Sequence, residues 1–286
     1  MGNLVDKQTG IVHTSFNQTL TQTGRLSSKE PNLQNIPVRE EQGRELRKLF
    51  IPRAENRVLV DADYSQIELR LLAHFSKCQI LIDAYNSEKD IHSLTASQVF
   101  NVPLSEVTSS MRSKAKAVNF GIIYGISEYG LAKNLKISPK DAKNYISKYF
   151  EMYPSVKEYM DSNVEFAKKN GYVSTLLNRR RYINEINSPN FTLRSFGERA
   201  SKNMPLQGSS ADIIKVAMVK VFERLKNECP NSKLILQVHD ELIVDALDTE
   251  SEKVVEILKQ EMENAVSLSV PLTVDIKVGK SWFETK

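Results

Sequence analysis

The order of periodic segments along the 286 residues predicts an α+β fold, in which a small and mostly antiparallel sheet carries an inserted helical lobe. A short β-branched run occupies residues 57–63, and helical periodicity then dominates to about residue 225. Two apolar runs, a helical segment and an alternating run follow. Because strands at both ends enclose helices in the middle, the pattern differs from the regular strand–helix alternation of a parallel sheet.

Capping and turn signals place the first elements. Residues 1–57 are polar and rich in turn-forming residues, so we expect loops and extended segments there. Ser65 precedes Glu68 by three residues, which is the spacing of a capping box and predicts a helix over residues 65–76. Ser138 followed by proline predicts the start of another helix.

The last part of the chain is predicted to contain a helix, a hairpin, a second helix and a strand. Residues 211–226 place one apolar face on a helix, formed by Ile214, Ala217, Met218, Val221, Phe222 and Leu225. The apolar runs 233–238 and 241–246 predict a hairpin that turns at His239–Asp240, although this pair is not a common turn sequence. A helix over 251–265 follows, and then a strand with one buried face formed by Leu272, Val274, Ile276 and Val278.

Charge is distributed unevenly along the chain. Lys and Arg number 39 and Asp and Glu 35, but residues 110–220 alone carry 19 basic and nine acidic side chains. Such a block could bind a polyanion, or it could be the solvated faces of lysine-rich helices. No apolar run is long enough for a membrane span, and Cys78 and Cys229 cannot form a disulfide framework. We therefore expect a cytoplasmic protein with no membrane partner.

Acidic residues stand where two apolar segments end. Asp63 closes the run at 57–63, and its carboxylate could either cap the next helix or bind a cation. Asp240 and Glu241 lie at the predicted hairpin tip, for which a solvent-exposed turn is the alternative. If Asp63 and Asp240 lie at adjacent strand ends, their oxygens suit Mg²⁺, and two such ions could support an in-line phosphoryl displacement. Asp61 shares a strand face with Asp63 and is predicted either to support the metal ligands from behind or to be structural.

A third pattern spans residues 112–125. At helical spacing, four side chains follow one another at i+4, namely Arg112, Lys116, Phe120 and Tyr124. This order suits a nucleoside triphosphate that lies along one helix face, with phosphates at the cations and the base at the rings. Gly121 and Gly125 indicate a close approach or a hinge. The alternative is a basic amphipathic helix with an aromatic core stripe.

Together these patterns resemble the signature motifs of family A DNA polymerases, the bacterial DNA polymerase I type. The three motifs, in the order of the family, are DYSQIELR at 63–70, RSKAKAVNFGIIYG at 112–125 and QVHDEL at 237–242. Two further segments are similar to the family, TGRLSSKEPNLQNIP at 23–37 and ERASKNMPLQGSSAD at 198–212. The resemblance extends from residue 9 to residue 286.

The resemblance implies a right-hand polymerase fold without its thumb. A palm would comprise residues 1–111 and 198–286, with the fingers over residues 112–197. The family has a thumb and an exonuclease-like domain before the equivalent of residue 1. We therefore expect weak binding to duplex DNA, and no proofreading or 5′-nuclease activity in this chain.

Site residues follow from the same resemblance. Asp63 and Asp240 would be the catalytic aspartates that bind two Mg²⁺ ions, with the Tyr64 carbonyl as a further ligand and Glu241 as a less critical neighbour. The incoming dNTP would contact Gln66, Glu68, His92, Arg112, Lys116, Phe120 and Tyr124. Primer–template DNA would contact Arg25, Asn32, Gln34, Asn35, Arg199, Asn203, Gln207 and His239.

The implied reaction is template-directed addition of dNTPs to a primer 3′-hydroxyl, in which Lys116 neutralises charge on the leaving pyrophosphate. Phe120 would disfavour dideoxynucleotides, and Glu68 would exclude a 2′-hydroxyl, which argues against a single-subunit RNA polymerase. One alternative is a catalytically incompetent fragment that binds primer–template DNA. Another is a subunit that needs a separate N-terminal half.

The run Arg179–Arg181 could contact DNA or form a solvated loop.

Overall fold

The computed structural model describes residues 4–37 and 41–286 and confirms the α+β class. Its strands are β1 (Ser15–Asn17), β2 (Ser27–Lys29), β3 (Arg57–Tyr64), β4 (Tyr172–Ser174), β5 (Arg180–Tyr182), β6 (Lys233–Val238), β7 (Glu241–Leu247) and β8 (Val274–Gly279). Its helices are α1 (Glu41–Arg47), α2 (Ile67–Ser76), α3 (Gln79–Asn86), α4 (Ile91–Phe100), α5 (Ser109–Ile123), α6 (Glu128–Leu135), α7 (Pro139–Met152), α8 (Pro154–Asn170), α9 (Phe191–Glu228) and α10 (Ser251–Glu263).

The chain divides into two compact units. The sheet unit contains the described residues up to Ser65, together with Ser210–Ser267 and Leu272–Lys286. The helical unit contains Gln66–Ser209 and Leu268–Pro271. The boundaries at residues 111 and 197 that the resemblance implies for palm and fingers stay predictions.

The sheet unit is built on four antiparallel strands in the order β6–β7–β3–β8. Helix α10 packs against one face, where Val60 and Ala62 are fully buried and the Tyr64 hydroxyl donates to the Met262 carbonyl. On the other face, Leu59 and its neighbours form a core with Leu33, Ile36, Leu236, Val238, Ile243 and Trp282. This second face also carries Asp63, because alternate residues of a strand share a face.

The predicted hairpin is confirmed, and its uncommon turn has a physical explanation. Strands β6 and β7 pair in antiparallel register, with His239 and Asp240 between them. His239 has a φ of 54°, the left-handed conformation that a tight two-residue turn requires. The strands on either side therefore fix His239 in this conformation.

Three details of the predicted elements are wrong. Ser65 does not cap α2, because Gln66 precedes the helix with a φ of 56° and the Ser65 hydroxyl donates to Asp275 instead. Phe222 is 58% exposed, since the buried stripe of α9 follows Ile214, Ala217, Val221 and Leu225 and leaves residue 222 about 100° away. Val278 is 48% exposed because β8 is an edge strand of the sheet.

The helical unit contains α2 to α8, the first half of α9 and the hairpin β4–β5. As predicted, Ser138 caps α7 by accepting from the Asp141 N–H, and proline occupies the first helical position. Helix α9 is 38 residues long, so the helix predicted over 211–226 is its second half.

Cys78 and Cys229 are free and buried. None of the helices described within residues 4–37 and 41–286 has the length and hydropathy needed to cross a bilayer.

Candidate active site

The structure brings Asp63 and Asp240 to the ends of adjacent strands. Asp63 pairs with Glu241 across the β3–β7 ladder, and the Tyr64 N–H donates to the Asp240 carbonyl at 3.1 Å. Burial, together with the charge of Asp240, raises the pKa of Asp63 to about 7. The two carboxylates are therefore close enough to repel each other in a partly dehydrated position.

The chemistry of this pair fits a divalent cation. Within the described part of the chain, no group of three or more His, Cys, Asp and Glu side chains is arranged to hold a metal ion. Mg²⁺ is commonly bound by one or two carboxylates, with water and substrate phosphates completing its coordination. Asp63, Asp240 and the carbonyl of Tyr64 supply hard oxygens, and a cation would relieve the repulsion that raises the pKa of Asp63.

Glu241 points into the protein. Its Oε1 accepts from the Trp282 indole N–H at 3.1 Å, and its Oε2 accepts from the Lys286 ammonium at 2.5 Å. Both carboxylate oxygens are therefore engaged by the segment 282–286. These contacts indicate that Glu241 supports the pair of Asp63 and Asp240 from within the protein. The catalytic assignment of Glu241 stays a prediction.

Asp61 is buried beside the ion pair of Glu241 and Lys286. The Thr285 hydroxyl donates to Asp61 Oδ2 at 3.1 Å, and the Lys286 ammonium lies 3.4 Å from the same oxygen. Burial, reinforced by the charge of Glu241, raises the pKa of Asp61 to about 7, and Lys286 opposes this rise. Lys286 therefore compensates the charges of two buried acidic side chains.

Sequence reasoning missed the supports of this cluster. The Arg47 guanidinium lies 4.0 Å from the centroid of the Trp282 ring, and Phe50 packs edge-on against that ring at 5.4 Å. A signal existed, because Asp61 and Asp63 in one buried strand require nearby cations. The sequence positions of those cations could not be deduced, since the periodicity of one strand does not show which other segments pack against its face.

Helix α5 presents the predicted row of cations and rings on one face. Arg112, Lys116 and Tyr124 are exposed and Phe120 is half-buried, whereas the opposite face is packed through Ala115, Val118, Asn119, Ile122 and Ile123. The Lys116 ammonium lies 6.0 Å from the centroid of the Phe120 ring. The face is therefore available to a ligand that carries both phosphates and a ring.

Gly121 within this helix and Gly125 beyond its end have different roles. A Cβ at Gly121 would lie 2.7 Å from the Ile126 side chain, so this glycine permits the predicted close approach. The helix ends at Ile123, two residues earlier than predicted, and Tyr124 is its C-cap. Gly125 follows with a φ of 63°, and a left-handed residue just beyond a helix end favours glycine.

Arg112 has a partner that the sequence did not reveal. Its Nε lies 2.6 Å from Asp90 Oδ2, and both side chains are partly exposed. Burial alone would raise the pKa of Asp90, but hydrogen bonds from Arg112 and Ser93 lower it to about 2. A phosphate that binds Arg112 must therefore share or replace this carboxylate. Asp90 also caps α4 by accepting from the His92 N–H.

His92 is buried and held in one tautomer. The Thr95 hydroxyl donates to Asn119 Oδ1, which directs the Asn119 amide N–H₂ to His92 Nδ1 at 2.9 Å. Because Nδ1 accepts, Nε2 carries the proton. Burial lowers the pKa of His92 to about 4, although Asp90 opposes this shift. His92 can therefore donate a hydrogen bond to a phosphate at neutral pH but contributes no positive charge.

We expect this neutral state to affect stability in acid. Between pH 6.5 and about 4, the unfolded chain binds a proton that the buried imidazole does not, so the free energy of unfolding falls as the pH decreases. His92→Gln lacks this titration and should lose less stability than the wild type over that interval. Thermal unfolding at several pH values measures the difference. His13→Gln, at an exposed position, is the control, and equal losses in H92Q and the wild type would contradict the assignment.

Two further predicted nucleotide contacts lie at the start of α2. Gln66 adopts a φ of 56° and accepts from the Tyr85 hydroxyl at 3.2 Å. The Arg70 guanidinium lies 4.5 Å from the centroid of the Tyr85 ring. Glu68 is buried in the first turn of the helix. Gln66 is thus held by its neighbours, and the roles of Gln66 and Glu68 towards a nucleotide stay predictions.

The predicted DNA contacts of α9 lie beside the end of α5. Arg199, Asn203 and Gln207 follow one another at i+4 on the helix. The Asn203 amide donates to the Ile123 carbonyl at 3.5 Å, and a Cβ at Gly125 would lie 3.2 Å from Arg199 Cγ. The structure therefore brings this row next to Tyr124, within one unit.

The other predicted DNA contacts lie in the sheet unit. Gln34 Nε2 donates to the Gln237 carbonyl at 3.2 Å, and Asn32 caps a short 3₁₀ helix that comprises Leu33–Asn35. Burial, with the charge of Arg25, lowers the pKa of His239. Gln34, Arg25 and His239 therefore lie near the tip of the hairpin that carries Asp240, while their contacts with DNA stay predictions.

Known proteins resemble this chain over almost its whole length. A family model described as DNA polymerase family A matches residues 1–284. DNA polymerase I of Caldicellulosiruptor bescii is 57% identical over 282 residues, which are 99% of this chain and 33% of that protein. DNA polymerase I of Bacillus subtilis is 54% identical over 275 residues, which are 96% of this chain and 31% of that protein.

A solved structure agrees with these sequence relatives. The POL domain of Pol1 from M. smegmatis, in a complex with DNA primer-template and dNTP, is similar with a TM-score of 0.94 and 46% identity. The match covers 99% of this chain and 50% of that chain. The chain spans about a third of the length of the curated relatives it matches. Matched by the family model over nearly all of its residues, this chain belongs to DNA polymerase family A.

Proposed function

We propose that this chain carries the nucleotidyl-transfer site of a DNA-directed DNA polymerase, which adds dNTPs to a primer 3′-hydroxyl opposite a template. The observation that carries the proposal is the carboxylate pair of Asp63 and Asp240 at adjacent strand ends, where their charges interact. Support comes from the exposed cations and rings of α5 and from the dNTP and primer-template in the similar polymerase structure.

Each group has a chemical task in this proposal. Asp63, Asp240 and the Tyr64 carbonyl would hold two Mg²⁺ ions, which when bound acidify the primer hydroxyl and neutralise phosphate charge. Lys116 and Arg112 would bind the triphosphate and stabilise charge on the leaving pyrophosphate. His92 would donate its Nε2–H to a phosphate oxygen. Phe120 would pack against the sugar and base.

A primer-extension assay on the chain tests this proposal. A labelled primer annealed to a longer template should gain one nucleotide when the complementary dNTP and Mg²⁺ are present. We expect no product with a mismatched dNTP or with EDTA. Salt-dependent binding of primer–template DNA without any extension, even at high protein concentration, would instead favour a fragment that binds but does not catalyse.

Phe120 predicts a sugar preference that can be reversed. Its half-buried ring has no hydroxyl, so it offers no polar group where a dideoxynucleotide lacks its 3′-hydroxyl. We expect Phe120→Tyr to raise incorporation of dideoxynucleotides relative to dNTPs by an order of magnitude or more. Competition between a ddNTP and the matching dNTP measures this ratio. Extension with dNTPs alone is the control, and an unchanged ratio would contradict the assigned contact.

A further inference from the structure

The hairpin β4–β5 of the helical unit has two faces of opposite character. Its register pairs Tyr172 with Tyr182, Val173 with Arg181, and Ser174 with Arg180. Val173 is buried in a core with residues of α8 and α9, whereas Tyr182 and Arg180 are exposed on the opposite face. One face therefore anchors the hairpin, and the outward face displays aromatic and cationic side chains.

The rings of the outward face form a continuous group. The Tyr172 and Tyr182 centroids are 5.9 Å apart, and Phe166 of α8 lies 5.5 Å from Tyr172. The Arg180 guanidinium lies 4.7 Å from the Tyr172 centroid. Tyr182 is 66% exposed and Phe166 43% exposed, so packing within the protein leaves much of their surface in water.

The charge around this group selects the class of ligand. Residues 166–182 contain no acidic side chain and five basic ones, of which Arg181 pairs with Val173 on the anchoring face. Lys168 is partly neutralised by Glu165 at 2.9 Å, whereas Arg180 lies over a ring. A polyanion with flat aromatic groups matches both features, while an apolar partner would match the rings alone.

The geometry points to a binding surface for single-stranded nucleic acid on the outward face of β4–β5. Unpaired bases would stack on Tyr182 and Tyr172, and backbone phosphates would contact Arg180. A duplex hides its base faces in its own stack, so exposed rings favour an unpaired strand. This binding needs neither carboxylate of the candidate active site. It extends the proposed function, in which such a strand would be unpaired template.

Binding of a labelled sixteen-residue oligothymidine to the chain, without metal or dNTP, tests the surface by fluorescence anisotropy. We expect Tyr182→Ala to weaken binding about tenfold and Tyr182→Phe to bind like the wild type, because the ring and not the hydroxyl stacks. Arg180→Ala should lower the slope of log affinity against log salt by about 0.7, the value for one phosphate contact to a single strand. Phe222→Ala, which removes an exposed ring of the sheet unit, should change nothing.

Unchanged binding in Y182A, or an unchanged salt slope in R180A, would overturn the inference. An equal loss in Y182A and Y182F would also overturn it, because stacking does not need the hydroxyl. The salt slope of R180A does not depend on whether Y182A folds. A chain that binds the oligonucleotide through Tyr182 but extends no primer would support this surface and contradict the proposed function. Primer extension by a chain in which Y182A binds the oligonucleotide like the wild type would support the proposed function and contradict this surface.

Discussion

Asp240→Asn should reduce Mg²⁺-dependent primer extension by on the order of 10³-fold or more. The amide has the size of the carboxylate but carries no charge, so it can no longer share a divalent cation with Asp63. Because Asp240 raises the pKa of Asp63, the same substitution removes the repulsion that a cation would otherwise relieve. Single-turnover extension of a labelled primer by one nucleotide measures the loss.

The matched control removes a different carboxylate beside the same strand. Asp275 pairs with Asp63 on the β8 side of β3, is exposed and accepts from the Ser65 hydroxyl. We expect Asp275→Asn to retain extension within a few fold of the wild type. Undiminished extension by D240N, or equal losses in D240N and D275N, would contradict the assignment of Asp240.

Trp282→Ala should lower the free energy of unfolding by about 3–5 kcal/mol. The indole is 1% exposed, packs edge-on against Phe50 and lies under the Arg47 guanidinium. Its N–H donates to Glu241, so the substitution creates a cavity and removes a hydrogen bond to a buried charge. Chemical denaturation measures the change. The slope of the free energy of unfolding against denaturant concentration should be the same in both proteins.

An exposed aromatic residue provides the comparison for this effect. Phe222→Ala removes a ring that is mostly in water, so we expect a change of less than about 0.5 kcal/mol. A loss below about 1 kcal/mol in W282A would show that the segment 282–286 does not support the sheet as its contacts indicate.

The sequence was most informative where its signals are local. The β-branched run of β3 and the two apolar runs of the hairpin each identify a strand, and the positions of Asp63 and Asp240 follow from strand ends. The alignment of Arg112, Lys116 and Phe120 at i+4 likewise follows from the periodicity of a single helix, α5. Such patterns are set by backbone periodicity, which a single segment determines.

Prediction failed where distant segments compete for one side chain. Ser65 has the spacing of a helix cap, yet Asp275, 210 residues later, accepts its hydroxyl. Lys286 compensates Asp61 and Glu241, which precede it by 225 and 45 residues. Arg112 was expected to be available to phosphate, and its pairing with Asp90 depends on the packing of α4 against α5. These contacts are set by tertiary packing, and a single sequence does not show which distant residues come together.

Direct measurement of cation binding tests the central claim, that Asp63 and Asp240 form one divalent-cation site. Mn²⁺ binding can be followed by electron paramagnetic resonance on the wild type, Asp63→Asn, Asp240→Asn and the double variant, without DNA or nucleotide. Because both side chains would contribute to one site, each single variant should lose most of the binding and the double variant should lose little more. Wild-type Mn²⁺ binding in either single variant would contradict the shared site.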